Sequence, residues 1–296
     1  MKHIVITGCT GLIGSAIIKQ ALSQQYEVTC IVRRNSSRID NIPKSGCVNI
    51  IECNIDEYGR LDTQIKADIF IHLAWDKTFG MGRDDVSSQL ANIQYTIDAV
   101  QLASRIGCTV FIGAGSQAEY GIQEVKLTPE LNVNPESGYG IAKYTAGKLA
   151  KLQCEQLGLR FNWLRILSIY GKNDAAHTLI SYVVEELKNG RSPELTKCEQ
   201  YWDYLNCEDA ARAFLAVAEK GVDGKFYPLG SGDGRKLSDY ICDIQKIINP
   251  DVKIGFGKKE YYPHQPMYLV ADISELSIDT GWNPNISFEN GIKSII

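Results

Sequence analysis

Apolar residues gather along the chain in short runs separated by longer amphipathic stretches. Lys2-His-Ile-Val-Ile-Thr7 is apolar and β-branched, the composition of a strand buried on both faces. Comparable runs at 26–32, 48–52, 68–73, 108–114 and 160–167 predict further strands. Helical periodicity covers 12–24, where Ile13, Ala16, Ile17, Ala21 and Leu22 are apolar, and is clearest over 85–106 and 138–158. Strands alternating with helices predict a parallel sheet covered on both faces. After about residue 168 the rhythm loosens. Helices are predicted at 177–189, 207–219, 236–248 and 287–295, and short strands near 225–229 and 252–256. No repeats, low-complexity tracts or long linkers interrupt the pattern.

The turn between the first strand and the first helix carries Gly8-Cys-Thr-Gly11-Leu-Ile-Gly14. Glycines there let the backbone approach a pyrophosphate, and the free N–H groups and dipole of the following helix favour an anion. Strand 26–32 closes the βαβ unit, so Gly8, Thr10, Gly11, Leu12, Ile13 and Gly14 are candidate dinucleotide contacts. The alternative is a tight βα turn with no ligand. The expected fold is therefore α/β, a Rossmann-type doubly wound parallel sheet with a smaller, interleaved C-terminal α/β lobe. Residues 1–167 would form the dinucleotide-binding domain, with 202–228 returning to it, and 168–201 and 229–296 would form the substrate lobe. The cleft between them would lie above the carboxyl ends of the strands.

Tyr139 and Lys143 stand one helical turn apart in Ser137-Gly-Tyr-Gly-Ile-Ala-Lys143 and project from one helix face. A phenol ionises near about pH 10. A neighbouring ammonium favours the phenolate, and a phenol so tuned can exchange a proton with an alcohol or ketone. Taken alone, the pair also fits a half-buried Tyr beside a solvated Lys.

Bulk properties narrow the field. The 296 residues suffice for a full α/β core, and a net charge of −4 with mixed signs offers no broad basic face for nucleic acid. No apolar run approaches the roughly 20 residues of a membrane span. The first strand begins almost at the first residue, which leaves no room for a signal peptide. Nine cysteines without paired or metal-type spacing suggest reduced, buried thiols and a cytoplasmic home. Cys9, in the glycine turn, is the one thiol a helix N-terminus would make acidic, although it also reads as a small packing residue. The four histidines lie far apart, so no metal site is expected.

The three-and-three glycine spacing together with Tyr139 and Lys143 resembles the short-chain dehydrogenase/reductase superfamily. Length and further phrases resemble its extended branch, the NAD-dependent epimerase/dehydratase family acting on nucleotide-linked sugars. Phe111-Ile-Gly-Ala-Gly-Ser116-Gln-Ala-Glu-Tyr120-Gly121 is similar to the SSxxVYG phrase, and this makes Ser116 the second catalytic hydroxyl. By that resemblance Ser116 bonds the substrate oxygen and Tyr139 transfers its proton. Lys143 binds the nicotinamide ribose and lowers the Tyr pKa. Glu52-Cys-Asn54-Ile55-Asp56 resembles the segment that edges the adenine. Ile71-His-Leu73-Ala74 resembles the phrase beside the cofactor, and Trp75 follows it. Leu164-Arg-Ile-Leu-Ser168-Ile-Tyr170-Gly171 marks the crossing into the lobe, Tyr201-Trp202-Asp203-Tyr204 resembles RDYxHV, and Gly281-Trp282-Asn-Pro284 resembles a C-terminal structural phrase. A homodimer through helices 85–106 and 138–158 is likewise implied.

Where the family often has a diphosphate-binding Arg, this chain has Trp202, which would either stack on a base or sugar or fill the lobe core. Gln117, Ser168, Lys77 and Phe79 are further candidate substrate contacts. For the last two, the alternative is a mobile surface loop. Family dehydratases place an Asp-Glu pair just after the catalytic hydroxyl, and Gln117-Ala118 cannot do that acid/base work. Near the adenosine ribose the chain offers Arg33-Arg34 rather than a carboxylate. Arginine suits a 2′-phosphate, hence NADP(H), with NAD(H) as the alternative and a solvated basic loop as the ligand-free one. The functional expectation is NADPH-dependent reduction of a keto group of a nucleotide-linked sugar, with C4 of a 4-keto-6-deoxy hexose or a related sugar as the expected centre. The rivals are an NAD-dependent nucleotide-sugar 4-epimerase and a non-catalytic dinucleotide-binding regulator.

Overall fold

The computed structural model describes residues 1–296. The β-branched opening run forms β1 (His3–Thr7), and the glycine turn leads into α1 (Leu12–Ser23) and then β2 (Glu27–Val32). β3 (Val48–Glu52), β4 (Ile69–His72), α2 (Val86–Arg105), β5 (Val110–Ser116), α3 (Gly138–Leu157) and β6 (Arg160–Ile166) continue the alternation. β1, β4 and β5 are buried along their whole length or nearly so, which is why their sequences read as continuous apolar runs rather than as alternation. Asp85 caps α2 and Ser137 caps α3, each accepting a backbone N–H of the first turn.

β7 (Ser168–Tyr170), α4 (Leu179–Lys188), β8 (Tyr201–Trp202), β9 (Tyr204–Asn206), α5 (Cys207–Lys220), β10 (Lys225–Leu229), β11 (Arg235–Lys236), α6 (Leu237–Ile248), β12 (Tyr268–Leu269), α7 (Ser274–Thr280) and α8 (Phe288–Lys293) complete the chain. The main sheet has seven strands in the order β10-β6-β5-β4-β1-β2-β3. All its pairings are parallel. α1 and α5 cover one face and α2 and α3 the other, each face with its own apolar core. Strand order reverses between β1 and β4, so the crevice for a ligand opens above their carboxyl ends.

The stretch expected to return to the main sheet, 202–228, holds α5 and β10, but Trp202 itself pairs in a small three-stranded sheet of β11, β8 and β12. β7 pairs with β9 in parallel. α4, α6 and α8 enclose a separate apolar core in this lobe. The strand expected at 252–256 is absent. Only an isolated bridge between Glu194 and Gly255 forms there. Gly255 and Gly257 interrupt the run, and Gly257 takes φ +72°, a left-handed conformation that ends an extended strand. No helix is long and apolar enough to cross a membrane.

Candidate active site

Two glycines shape the floor of the crevice. Gly8 has φ +72°, and a Cβ on it would meet the Ala74 nitrogen at 2.9 Å and the Leu73 carbonyl carbon at 2.9 Å. A Cβ on Gly14 would run into the Gly8 carbonyl oxygen. Substitution is blocked by backbone rather than by a side chain that could swing away. Thr7 locks the turn from below: its hydroxyl accepts the N–H of Leu73 at 3.2 Å and of Ala74 at 3.3 Å and pairs with His72 Nδ1 at 2.9 Å. Burial, and Lys143 nearby, push His72 down to about 3, so its imidazole is a neutral fastener. Cys9 is buried and its thiol donates to the Ile6 carbonyl at 2.8 Å. Burial raises its pKa well above the usual range, so the helix N-terminus does not make it a reactive thiolate. The bare, N–H-bearing turn left by these glycines fits the pyrophosphate of a dinucleotide.

Above this floor lies a cleft of about 950 Å³ lined by Gly8, Gly11, Leu12, Ile13 and Gly14 from the turn, by Leu73 and Trp75, and by Ser116, Gln117, Tyr139 and Lys143. Phe79, Ser168 and Trp202 line its lobe side. Thr10, Ala74, Arg33, Arg34, Asn54, Ile55 and Lys77 stand outside that lining. The Thr10 carbonyl accepts the Asn41 side-chain amide at 3.0 Å. Asn54 accepts the Arg34 backbone N–H at 3.1 Å and caps a 3₁₀ turn beginning at Ile55. Arg34 is paired with Glu57 at 2.5 Å, whereas Arg33 is exposed and enters no ion pair.

Ser116, at the end of β5, opens the 3₁₀ turn Gln117–Glu119. Its hydroxyl accepts the Ala118 N–H at 3.2 Å, and the Glu119 carboxylate accepts the Ser116 N–H at 2.8 Å. Glu119 is fully buried. It also accepts from Trp163 Nε1 at 2.9 Å and Arg165 Nε at 2.8 Å. Residues from β5, β6 and the turn thus fix the serine's backbone. Sequence reasoning gave Glu119 no role, although Ser116-Gln-Ala-Glu119 is a capping-box pattern and could have revealed it.

Lys143 is buried, donates from Nζ to the Ala114 carbonyl at 2.7 Å and sits 3.7 Å from the centre of the Trp75 ring. Burial lowers its pKa to about 7, with the Glu119 charge opposing the shift. Tyr139 is half-buried, edge-on to Trp75 with ring centroids 6.0 Å apart. Burial raises its pKa, the Ser116 hydroxyl and the Arg83 charge lower it, and Glu119 raises it. Desolvation is the largest of these effects, and Arg83, whose guanidinium lies 4.4 Å above the ring, is a cation that pulls the phenol down.

The loop after β4 is tied to α2 by hydrogen bonds. Buried Gln89 of α2 accepts from Trp75 Nε1 at 3.0 Å and donates to the carbonyls of Lys77 and Gly82 at 3.0 and 2.9 Å. Lys77 turns to Asp85 at 2.5 Å, away from the cleft, which corrects its placement as a substrate contact. Phe79 packs edge-on against His177 with centroids 4.6 Å apart. Trp202 Nε1 donates to Ser168 Oγ at 2.7 Å, so the N–H edge of that indole is fixed while the residue lines the cleft.

A sequence model of the NAD dependent epimerase/dehydratase family matches residues 4–230. The chain belongs to that family. Among proteins similar to it, CDP-abequose synthase of Salmonella muenchen is 23% identical, with 100% of this chain and 97% of that protein aligned. The dTDP-4-dehydro-6-deoxyglucose reductase of Escherichia coli is 22% identical over 99% of this chain and 96% of its own length. Among solved structures, UDP-glucose 4-epimerase of Thermotoga maritima with UDP-glucose superposes with a TM-score of 0.88 at 22% identity, covering 99% of this chain and 97% of that one. At that identity the superposition speaks to the fold alone. The relatives are nucleotide-sugar-modifying enzymes, and this chain shares their family and architecture.

Proposed function

We propose that this chain reduces a keto group, C4 of a 4-keto-6-deoxy hexose or a related sugar, on a nucleotide-linked substrate, with NADPH as reductant. The observation that carries this reading is the meeting of Ser116, Tyr139 and Lys143 in one cleft floored by the glycine turn. Bound NADPH would supply the hydride to the carbonyl carbon. As the carbonyl π pair moves onto oxygen, Tyr139 gives that oxygen its proton and Ser116 donates a hydrogen bond to it, stabilising the developing alkoxide. The phenolate regains its proton from solvent. Lys143 holds the cofactor's ribose, and the Ala114 carbonyl and Trp75 ring fix its orientation.

Arg33 is our candidate for the 2′-phosphate, because its guanidinium is free while that of Arg34 is engaged by Glu57. Asn54 and Ile55 edge the adenine, and Leu73, Ala74 and Trp75 flank the cofactor in this assignment. Phe79, Gln117, Ser168 and Trp202 contact the substrate, with residues 168–201 and 229–296 forming its lobe. Gln117 and Ala118 speak against dehydration. The reductase among the relatives supports the reaction class. The nine free, mostly buried thiols fit a cytoplasmic, reducing compartment.

A nucleotide-sugar 4-epimerase is the second reading, favoured by the similarity to a putative UDP-glucose 4-epimerase of Methanocaldococcus jannaschii, 26% identical over 99% of this chain and 97% of that protein. Purified protein separates the two: tightly held oxidised cofactor with no net NADPH consumption would favour epimerisation. A non-catalytic regulator on the same fold would not need both Tyr139 and Lys143. The test of the first reading is Tyr139→Phe. Turnover of a keto sugar nucleotide should fall by about 100-fold or more with NADPH affinity nearly unchanged, and undiminished turnover would refute the assigned acid.

A further inference from the structure

Arg83 was not singled out by any motif, yet it holds a specific place. Its guanidinium carbon lies 4.4 Å over the centre of the Tyr139 ring. It lines the same cleft and forms no ion pair. The residue after it ties the loop to the start of the helix that carries Tyr139: Asp84 Oδ1 accepts the Gly138 N–H at 2.8 Å. A Cβ on Gly138 would come within 3.0 Å of the Arg83 carbonyl oxygen, so glycine there permits the close approach. Gln89 pins the preceding Gly82 carbonyl from α2 at 2.9 Å. The guanidinium is thus delivered to one aromatic face by a loop tied to two helices.

The charges around the phenol give that placement its meaning. On its own helix, Lys143 Nζ lies 5.8 Å from the ring centre. Burial disfavours the charge on that amine and brings its pKa to about 7. Glu119, in the turn after β5, opposes ionisation of the phenol, while the Ser116 hydroxyl favours it. Asp84 is a further negative charge, spent on the Gly138 N–H. Trp75 adds a ring edge without charge. Arg83 is the one cation facing the ring whose charge persists at every accessible pH. A cation over an aromatic face also stabilises the ring electrostatically, more so where water is excluded.

We propose that Arg83 is a positioning residue for proton transfer, the fixed cation that offsets part of the desolvation opposing ionisation of the half-buried Tyr139 phenol. This rests on the assignment of Tyr139 as the acid. Arg83 acts through the Tyr ring and touches neither proton nor carbonyl.

The test uses the full chain labelled with [ζ-¹³C]tyrosine, in which the resonance lost in Tyr139→Phe reports ionisation of that phenol directly, without cofactor or substrate. In Arg83→Met the Tyr139 titration should move up by about one pH unit or more, and Arg83→Lys should recover part of the shift. With NADPH and keto sugar nucleotide, the alkaline fall of kcat/KM for reduction, which needs the protonated phenol, should move in the same direction. NADPH affinity should stay the same. Coincident titrations of wild type and Arg83→Met would overturn the proposal. So would a wild-type Tyr139 that stays protonated to the alkaline limit of the folded protein. A pH-independent loss of activity in Arg83→Met with an unmoved resonance would mean only loop packing. Full turnover by Tyr139→Phe would instead sink the assignment of the acid and leave the titration result standing.

Discussion

Lys143 occupies a site that disfavours its own charge. In the unfolded chain it ionises near about 10.4, and in the fold near about 7. Between those values the unfolded chain binds more protons than the native one, so folding stability rises with pH across that window. Lys143→Met removes the penalty. The melting temperature of the variant relative to wild type should climb as pH falls from about 10 to about 7 and level off below. A pH-independent difference would contradict the burial. Glu119 is the complementary case. Glu119→Gln leaves Arg165 buried without its counter-charge, and loss of one partner of such a pair costs about 3–5 kcal/mol. Chemical denaturation measures it, and a change under 1 kcal/mol would show the pair to be dispensable. The sequence revealed the Tyr139–Lys143 spacing because helical geometry is local. It did not reveal how deeply the lysine lies, or that Arg83 stacks on the phenol ring, because burial and cross-loop stacking depend on residues distant along the chain, and Arg83 stands 56 positions before Tyr139.

At the scale of elements, the glycine turn and the strap after β4 carry the site. Gly14→Ala would drive α1 off the Gly8 carbonyl. NADPH binding should fall sharply, measured by fluorescence titration, while the far-UV circular dichroism stays close to wild type. Arg33→Ala should weaken NADPH binding by about 10-fold or more without a matching loss for NADH, and equal losses would overturn the cofactor assignment. Long elements were legible because many residues repeat one period: β1, α1, α2, β5, α3 and β6 lie where the apolar pattern puts them. β7, β8, β9, β11 and β12 span two or three residues each, too few for a period of two to register. Segment 252–256 misled because Val252 and Ile254 face the lobe core like strand residues, although the glycines that follow break the ladder. Lys77 was misplaced for a similar reason: loop position was readable, but the turn of its side chain to Asp85 was not.

At the scale of the molecule, the parallel sheet holds one half of the cleft and the lobe of α4, α6 and α8 the other, with Trp202 at the seam. The outer faces of α2 and α3 expose Val86, Leu90, Ile141, Leu149 and Leu152, and we propose that a second copy covers them. Leu90→Glu combined with Leu152→Glu should turn a sedimenting dimer into a monomer, and an unchanged mass would refute this interface. The central claim is net hydride delivery to a sugar carbonyl by Tyr139-assisted reduction. Its most direct test is incubation with nucleotide-linked 4-keto-6-deoxy hexoses and NADPH dideuterated at nicotinamide C4, followed by mass spectrometry of the sugar. The expected result is one deuterium in the product alcohol, lost with Tyr139→Phe. Interconversion of 4-hydroxy epimers without deuterium incorporation, or labelling that survives Tyr139→Phe undiminished, would contradict it.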